Sequence, residues 1–187
     1  NIIAYQGAAA AKRIFAVIDE PIQTKNDENH PDLKIDKCNI NFENISFNYI
    51  NTEAKAVKKI NLEIKGGAMT AFVGHSGAGK STIINLLPRF YQPQEGKIYI
   101  DKQNIYDVSL FSLRKNISLV SQDVILFDAT VKDNIAYADP KASQDEIIEA
   151  CRFAAADEFI NKLSDGYATF IGENGIRLSG GQKQRIS

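Results

Sequence analysis

A glycine-rich stretch carries the strongest chemical indication in the sequence. Residues 74–81 read Gly-His-Ser-Gly-Ala-Gly-Lys-Ser and fit the pattern G-x-x-x-x-G-K-[ST]. Phosphate oxygens need several inward-pointing backbone N–H groups, and glycines allow the tight loop that supplies them. At this spacing, Lys80 adds a positive charge for the β- and γ-phosphates, and the hydroxyl of Ser81 can ligate Mg²⁺. The spacing therefore predicts a site for a nucleoside triphosphate.

The plain alternative for this stretch is a glycine-rich turn between a strand and a helix that binds nothing. The motif follows an apolar run at residues 69–73 and opens a helical pattern at residues 82–90, which is the context that a phosphate loop requires. A chance match arises at roughly 3 in 100,000 positions on average composition, so we favour the phosphate site. His75 lies at a variable position of the pattern, and we interpret it as part of the loop rather than as an acid–base catalyst.

A second motif stands close to the C-terminal end of the sequence. Residues 178–182 read Leu-Ser-Gly-Gly-Gln, and five fixed residues occur by chance at roughly one in a million positions. Taken alone, Ser179 is a helix N-cap, whose side-chain oxygen accepts a hydrogen bond from an amide of the first turn. The motif therefore predicts a helix that begins just after Ser179.

The composition is that of an ordinary globular domain and excludes several classes of function. The 187 residues are 44% hydrophobic and 24% charged, close to the averages for globular proteins. With 22 Lys and Arg against 23 Asp and Glu, the net charge of −1 argues against a strongly basic nucleic-acid-binding protein. Cys38 and Cys151 form no CxxC pair, so neither a disulfide framework nor a structural zinc site is expected, and a reducing compartment is favoured.

Several strands must position the glycine-rich loop. Apolar and polar residues alternate loosely around residues 40–47 and 57–64, which predicts two strands of a half-exposed antiparallel sheet. The apolar run at residues 69–73 predicts a buried strand that leads into the loop. Further short strands are predicted at residues 97–100 and 117–120.

The predicted helices follow from capping residues as well as from periodicity. Ser109 predicts the N-cap of a helix over residues 110–115. Ser143 and Glu146 have the S-x-x-E spacing of a capping box, which opens another helix. A further helical stretch is predicted around residues 157–163. Residues 39–121 are therefore expected to be mixed α/β, and residues 123–187 mainly helical.

Both ends of the chain predict that it was cut from a longer protein. The first 20 residues predict an amphipathic or partly buried helix, because large apolar residues recur at helical spacing. Gln6, Lys12 and Arg13 interrupt the apolar run, so no stretch reaches the ~18 apolar residues that a membrane-spanning helix needs. The chain begins with Asn rather than Met, and its last residues begin a helix that has no C-cap.

Together, residues 74–81 and 178–182 resemble the two motifs of the nucleotide-binding domain of ATP-binding cassette (ABC) proteins. The resemblance covers about residues 39–187. It implies an α/β P-loop NTPase core of the ABC type, with an antiparallel β subdomain and an α-helical signature subdomain, incomplete at the C-terminus. The implied domains are the helical tail of the last transmembrane helix at 1–20, a linker at 21–37, and the nucleotide-binding domain at 38–187, with its helical subdomain at about 123–187.

The resemblance also assigns residues outside the two motifs. Tyr49, in ISFNY, matches the aromatic residue that stacks on adenine, although a tyrosine at a strand end is the plainer interpretation. Gln122, in LVSQD, matches the glutamine that senses Mg²⁺ and the γ-phosphate, so it is assigned as catalytic with Lys80 and as a metal ligand with Ser81. The residues implied to bind ATP are Tyr49, Gly74, His75, Ser76, Gly77, Ala78, Gly79, Lys80, Ser81, Thr82, Gln122, Ser179, Gly180, Gly181 and Gln182.

The function that the resemblance implies is ATP binding and hydrolysis that powers export across a membrane. Two copies would pair head-to-tail as a homodimer, each offering Ser179, Gly180 and Gly181 to the γ-phosphate held by the other. The Gln122 loop and Glu173, in IGENG, would contact the coupling loops of a transmembrane domain, although a surface glutamate in a turn is the bland interpretation of Glu173. The parent would lie in the bacterial inner membrane with this domain on its cytoplasmic face, would export lipids or drugs, and would bind no nucleic acid.

Two other functions compete with export. A soluble ABC ATPase that acts on ribosomes or chromosomes shares both motifs, but the Glu173 segment and the helical N-terminus favour the exporter. A small-molecule kinase shares the phosphate loop, and the LSGGQ motif at residues 178–182 argues against it. The Walker B aspartate, the glutamate after it and the switch histidine of the family should follow residue 187. We therefore expect that this chain alone does not hydrolyse ATP at a useful rate.

Overall fold

The computed structural model describes residues 2–20, 29–50, 52, 55–172 and 178–187. The chain divides into two compact units, residues 1–118 and residues 119–187. Unit 1 contains, in chain order, α1 (Ile2–Ile18), β1 (Ile40–Phe47), β2 (Val57–Ile64), α2 (Lys80–Leu86), β3 (Glu95–Ile100), β4 (Gln103–Asn104) and α3 (Leu110–Lys115). Unit 2 contains α4 (Val131–Ile135), α5 (Gln144–Phe153), α6 (Asp157–Ile160) and α7 (Gly180–Ile186), with short 3₁₀ turns at Ala136–Ala138 and Gly166–Ala168.

The sheet of unit 1 is antiparallel, as the alternating pattern predicts. Its strand order is β2-β1-β3-β4, so β1 lies between β2 and β3. Phe42 of β1 faces Leu62 on one side and Ile98 on the other. The strands predicted at residues 40–47, 57–64 and 97–100 are confirmed.

Two helices pack with this sheet to form the core of unit 1. Leu86 of α2 and Leu113 of α3 are completely buried in one cluster with Ile45 and Ile98 of the sheet. Burying a side chain of this size stabilises the fold by about 1.5–3 kcal/mol. Helix α2 starts directly after the glycine-rich loop, so its burial fixes one end of that loop.

Helix α3 begins after its predicted N-cap, Ser109, and ends at the predicted residue, Lys115. The hydroxyl of Ser109 accepts a hydrogen bond from the amide of Ser112 at 3.3 Å, and Arg114 and Lys115 lie in the last turn. Basic residues at that end interact favourably with the helix dipole. The predicted helix over residues 110–115 is confirmed.

Two of the predicted strands are wrong. Residues 69–73 and 117–120 form no strand, and the side chains of Met69 and Val73 are almost fully exposed. An apolar run favours burial, but a strand also needs a neighbour for its backbone N–H and C=O groups. All ladders of the sheet that the described residues form are antiparallel and join β1 to β4, so neither segment has a strand partner there.

The segment before β1 is tied to unit 1 although it forms no helix or strand. Residues 21–28 of the predicted linker lie outside the described residues. The last residues of that linker contact the turn after β3. One carboxylate oxygen of Asp101 accepts hydrogen bonds from the amides of Asp36, Lys37 and Cys38 at 2.8–3.0 Å, and the other accepts one from Asn39 at 2.9 Å. These bonds, with the amide of Asp36 contributing most, hold the pKa of Asp101 below its ordinary value.

The N-terminal helix α1 has the predicted helical form. The side chains of Ile14, Phe15, Val17 and Ile18 are all more than half exposed. Helix α1 comprises 17 residues and includes Lys12 and Arg13. No helix among the described residues combines the length and the apolar character that crossing a membrane requires.

Unit 2 is mainly helical and has its own apolar core. Buried residues from its helices and loops meet in one cluster, which includes Val131, Ile147, Ile160, Ile171 and Leu178. The predicted capping box at Ser143 and Glu146 is confirmed, because the Ser143 hydroxyl accepts from the Glu146 amide and the Glu146 carboxylate accepts from the Ser143 amide. The helix predicted around residues 157–163 is present as the shorter α6.

Candidate functional site

The glycine-rich loop of unit 1 has a backbone that only glycine adopts easily. Gly77 and Gly79 have φ angles of 79° and 83°, in the left-handed region. At Gly79, a Cβ atom would also lie 2.6 Å from the carbonyl oxygen of Ala56 and 2.7 Å from Val57. A side chain at this position would therefore be strained by its backbone and would clash with its neighbours.

Lys80 folds back over the loop at the start of α2. Its Nζ donates hydrogen bonds to the carbonyl oxygens of Gly74 at 2.9 Å and His75 at 2.7 Å. An ammonium group has three donors, so one N–H remains for an anion without disturbing these two bonds. The positive charge is thereby held at the mouth of the loop, as the spacing predicts.

The loop fits the triphosphate that its pattern predicts. Residues 74–82 contain no Asp or Glu, and residues 74–78 are exposed. Among the described residues, the amide of Ala78 is the one loop amide of residues 74–79 with a protein acceptor, the carbonyl of His75 at 3.2 Å. The other amides and Lys80 are a donor set suited to a polyanion, and the exposed Ser81 hydroxyl adds an oxygen ligand of the kind that Mg²⁺ accepts.

The structure brings Tyr49 to the helix that follows the loop. The Tyr49 hydroxyl shares a hydrogen bond of 2.9 Å with the hydroxyl of Thr82, which is buried in the first turn of α2. The Tyr49 ring is half-buried and makes an edge contact with the ring of Phe47, with centroids 5.0 Å apart. Tyr49 is therefore joined to the helix that the phosphate loop opens.

Tyr91 is a neighbour of this site that the sequence analysis did not identify. Its ring centroid lies 5.2 Å from that of Tyr49 in an edge contact and 5.5 Å from that of Phe47. The carbonyl oxygen of Tyr91 accepts a hydrogen bond from the hydroxyl of Tyr106 at 3.2 Å. The local sequence pattern does not indicate this cluster, because Tyr49 and Tyr91 are far apart in the sequence. The only indication in the sequence is that an aromatic residue, Tyr91, follows α2 closely.

The second motif forms the tip of a helix in unit 2. Ser179 is the N-cap of α7, and its hydroxyl accepts from the amide of Gln182 at 3.3 Å while its own amide donates to the Gln182 side chain at 2.9 Å. The predicted N-cap is confirmed. Ser179, Gly180 and Gly181 are exposed, and a Cβ atom on either glycine would meet nothing within 4 Å.

The far end of α7 is anchored within unit 2. Ile186 is buried, and the Arg185 guanidinium donates a hydrogen bond to the carbonyl of Ala155 at 3.0 Å. Packing therefore explains the end of the helix but not the glycines at its tip. Glycine costs about 0.5–1 kcal/mol relative to alanine inside a helix, so two glycines without close neighbours among the described residues need another explanation.

Gln122 and Glu173 also belong to unit 2. Gln122 has an exposed side chain in a segment without regular structure that precedes α4. Glu173 lies outside the described residues.

Comparison with known families finds one whose model matches most of this chain. A family model described as ABC transporter matches residues 57–187, a range that contains both the phosphate loop and the α7 tip. The chain belongs to the ABC transporter family. A model described as RsgA GTPase matches residues 8–104 and shares the phosphate loop, but it does not extend to residues 178–182.

Relatives within the ABC transporter family are exporters and flippases by name. A Staphylococcus aureus protein named for multidrug export, as an ATP-binding/permease protein, is 48% identical over 174 residues, which are 93% of this chain and 30% of that protein. The ATP-dependent lipid A-core flippase of Chromobacterium violaceum is 47% identical over 182 residues, 97% of this chain and 31% of the flippase.

A solved structure shares the fold as well as the sequence. The structure of a bacterial Atm1-family ABC exporter with ATP bound has a TM-score of 0.90 and 41% identity, covering 97% of this chain and 32% of that one. The likeness supports the ABC-type NTPase fold that the two motifs predict. The chain spans about a third of the length of these relatives.

Proposed function

We propose that this chain belongs to the ATP-hydrolysing motor domain of an ABC exporter, in which it binds ATP and a second copy completes each nucleotide site. The observation that carries the proposal is the α7 tip, where a capped helix begins with two exposed glycines that no packing among the described residues requires. A surface kept free of side chains suits the close approach of another molecule. The names of the relatives supply the direction of transport.

Unit 1 would bind the nucleotide in this proposal. The Tyr49 ring stacks on adenine, and the amides of residues 74–82 with Lys80 hold the triphosphate. Magnesium, when bound, would neutralise the charge that develops during phosphoryl transfer. Ser81 would be its protein ligand in unit 1, since its hydroxyl is an exposed oxygen ligand.

The second copy would supply the α7 tip to the γ-phosphate. Ser179, Gly180 and Gly181 present a hydroxyl and free backbone N–H groups at a helix N-terminus, which suits an anion. If each copy carries both halves, two-fold symmetry completes two sites at once. Because positioning and charge stabilisation supply most of the catalysis of phosphoryl transfer, the pairing itself switches hydrolysis on.

The membrane part of the transporter would meet unit 2 and the N-terminal helix. We assign contact with its coupling loops to the Gln122 loop and Glu173, and the role of a connecting tail to α1. This places the domain on the cytoplasmic face of a bacterial inner membrane, with a lipid or a drug as cargo. The alternative of a soluble ABC ATPase that acts on ribosomes or chromosomes is not favoured, because the relatives are exporters and flippases by name.

Pairing in the presence of ATP tests this proposal. The molar mass of the chain is measured by light scattering after size-exclusion chromatography, without nucleotide, with ATP and Mg²⁺, and with ADP and Mg²⁺. We expect one copy without nucleotide and two copies with ATP. ATP that binds tightly to a single copy, with no increase in mass, would contradict the proposal.

A further inference from the structure

The Tyr49 ring is held by three contacts from different parts of unit 1. Phe47 meets it on β1 with ring centroids 5.0 Å apart, and Tyr91 meets it from the segment after α2 at 5.2 Å. Its hydroxyl is bonded to Thr82 of α2 at 2.9 Å. Both ring contacts are close to perpendicular, with interplanar angles of 81° and 86°, which is a favourable geometry for aromatic pairs.

Tyr91 is itself held by a hydrogen bond from Tyr106, which in turn contacts the buried side chain of Arg89. The Tyr106 hydroxyl donates to the Tyr91 carbonyl oxygen at 3.2 Å, and the guanidinium of Arg89 lies over the Tyr106 ring, 4.9 Å from its centroid. Arg89 also donates to the carbonyl oxygens of Ile105 and Val108, both at 3.2 Å. Burial raises the pKa of Tyr106 to about 12, so its hydroxyl keeps the proton that it donates at any physiological pH.

Tyr91 therefore makes ring contacts with Phe47 and with Tyr49 of the proposed site. Its side chain is 40% exposed, so it contributes little to the apolar core. Its ring does, however, touch both aromatic residues at the end of β1. Removing this ring would free one edge of Tyr49 while leaving the phosphate loop and its hydrogen bonds in place.

We propose that Tyr91 is a positioning residue that sets the orientation of the Tyr49 ring for the nucleotide base. This inference rests on the proposed function, in which Tyr49 stacks on adenine. Tyr91 acts on the base and not on the phosphates. Its loss therefore weakens the binding of a nucleotide but not the binding of a triphosphate that has no base.

The test compares ATP with inorganic tripolyphosphate, each with Mg²⁺, by calorimetric titration of this chain. We expect Tyr91→Ala to weaken ATP binding by about threefold to tenfold, the effect of losing one aromatic contact. Tyr91→Leu, which keeps apolar volume but has no ring, should have the same effect on ATP. Tyr91→Phe should bind ATP as the unchanged chain does, and tripolyphosphate binding should be the same in all four proteins.

Three results would overturn the inference. Unchanged ATP binding in Tyr91→Ala and Tyr91→Leu would show that the ring does not orient Tyr49. Equal weakening of ATP and tripolyphosphate binding would show a merely structural role. If Tyr137→Ala, which removes an exposed tyrosine of unit 2, weakened ATP binding as much as Tyr91→Ala does, the effect would not be local to the Tyr91 ring. If the unchanged chain binds neither ligand, the proposed function fails first, and this inference fails with it.

Discussion

The hydroxyl of Tyr49 lies 2.9 Å from the hydroxyl of Thr82. This bond joins the residue just beyond the end of β1 to the first turn of α2, the helix that the phosphate loop opens. In the proposed function, Tyr49 faces the base and the loop faces the phosphates. The two halves of nucleotide recognition are thus connected through one pair of side chains.

Lys80→Ala should weaken ATP binding by about tenfold to a hundredfold, because a hydrogen bond to a charged group contributes about 1.5–3 kcal/mol. The measurement is the dissociation constant for ATP with Mg²⁺. Lys162→Ala is the matched control, since that lysine lies in unit 2 and pairs with Glu158 on the surface. Binding by Lys80→Ala within twofold of the unchanged chain would argue against the phosphate site.

The bond between Tyr49 and Thr82 should contribute about 0.5–1.5 kcal/mol to the free energy of unfolding. A double-mutant cycle measures it directly, with Tyr49→Phe, Thr82→Val and the pair compared by urea denaturation. We expect the two substitutions together to cost less than the sum of the single costs. Additive costs would mean that the two hydroxyls are not coupled in solution.

Gly181→Ala should stabilise the single chain and weaken its pairing. A Cβ atom meets nothing within 4 Å at this position, and alanine is the better helix former, so the free energy of unfolding should rise by about 0.5 kcal/mol. Pairing with ATP should fall, because the added methyl group lies on the surface that the second copy approaches in the proposed function.

Gly7→Ala in α1 is the control for Gly181→Ala. Its Cβ atom likewise meets nothing within 4 Å, so it should also stabilise the chain but leave pairing unchanged. If both substitutions left pairing unchanged, the α7 tip would not be the contact surface.

Asp101 should make the free energy of unfolding of the chain depend on pH in the acidic range. Its folded-state pKa lies below the ordinary value of about 4, so it stabilises the fold above that pH. This contribution is lost as the pH falls through the lowered pKa. Asp101→Asn should therefore reduce stability at neutral pH and flatten the decline in acid, as measured by urea denaturation between pH 7 and pH 3.

Ser109→Ala is the comparison for Asp101→Asn. It removes a cap that does not ionise, so it should lower the free energy of unfolding by about 1 kcal/mol at every pH. If the free energy of unfolding fell equally steeply in acid for Asp101→Asn and for the unchanged chain, the role of Asp101 would be contradicted.

Local sequence predicts those parts of the structure whose partners lie within a few residues. Ser109 and Ser143 cap helices through amides three residues ahead, and the glycines of the phosphate loop are required by its own backbone. The strands predicted at residues 69–73 and 117–120 fail for the opposite reason, because a strand depends on a neighbour that the segment itself does not specify.

Long-range packing limits the prediction of the site in the same way. Tyr49 is identified through its resemblance to a family position, whereas its contact with Tyr91 depends on how β1 and the segment after α2 fold together. The Asp101 carboxylate that binds the amides before β1 is equally invisible in the sequence, since it lies more than 60 residues away from them.

The central claim is that one triphosphate is held between the Lys80 loop of one copy and the Ser179 tip of another. Cross-linking tests it most directly, with Ser76→Cys in one copy and Ser179→Cys in the other. Cys38 is exposed and is first changed to Ser in both copies. Cys151 can stay because it is buried, and burial raises the pKa of its thiol, so little reactive thiolate forms.

The account predicts a disulfide between the two copies that forms with ATP and Mg²⁺, and that is lost without nucleotide or when Lys80→Ala is added. Glu149→Cys on α5, paired with Ser76→Cys, is the control and should form none. A mixture that binds ATP but does not join the two introduced cysteines, or that joins them equally without ATP, would contradict the account.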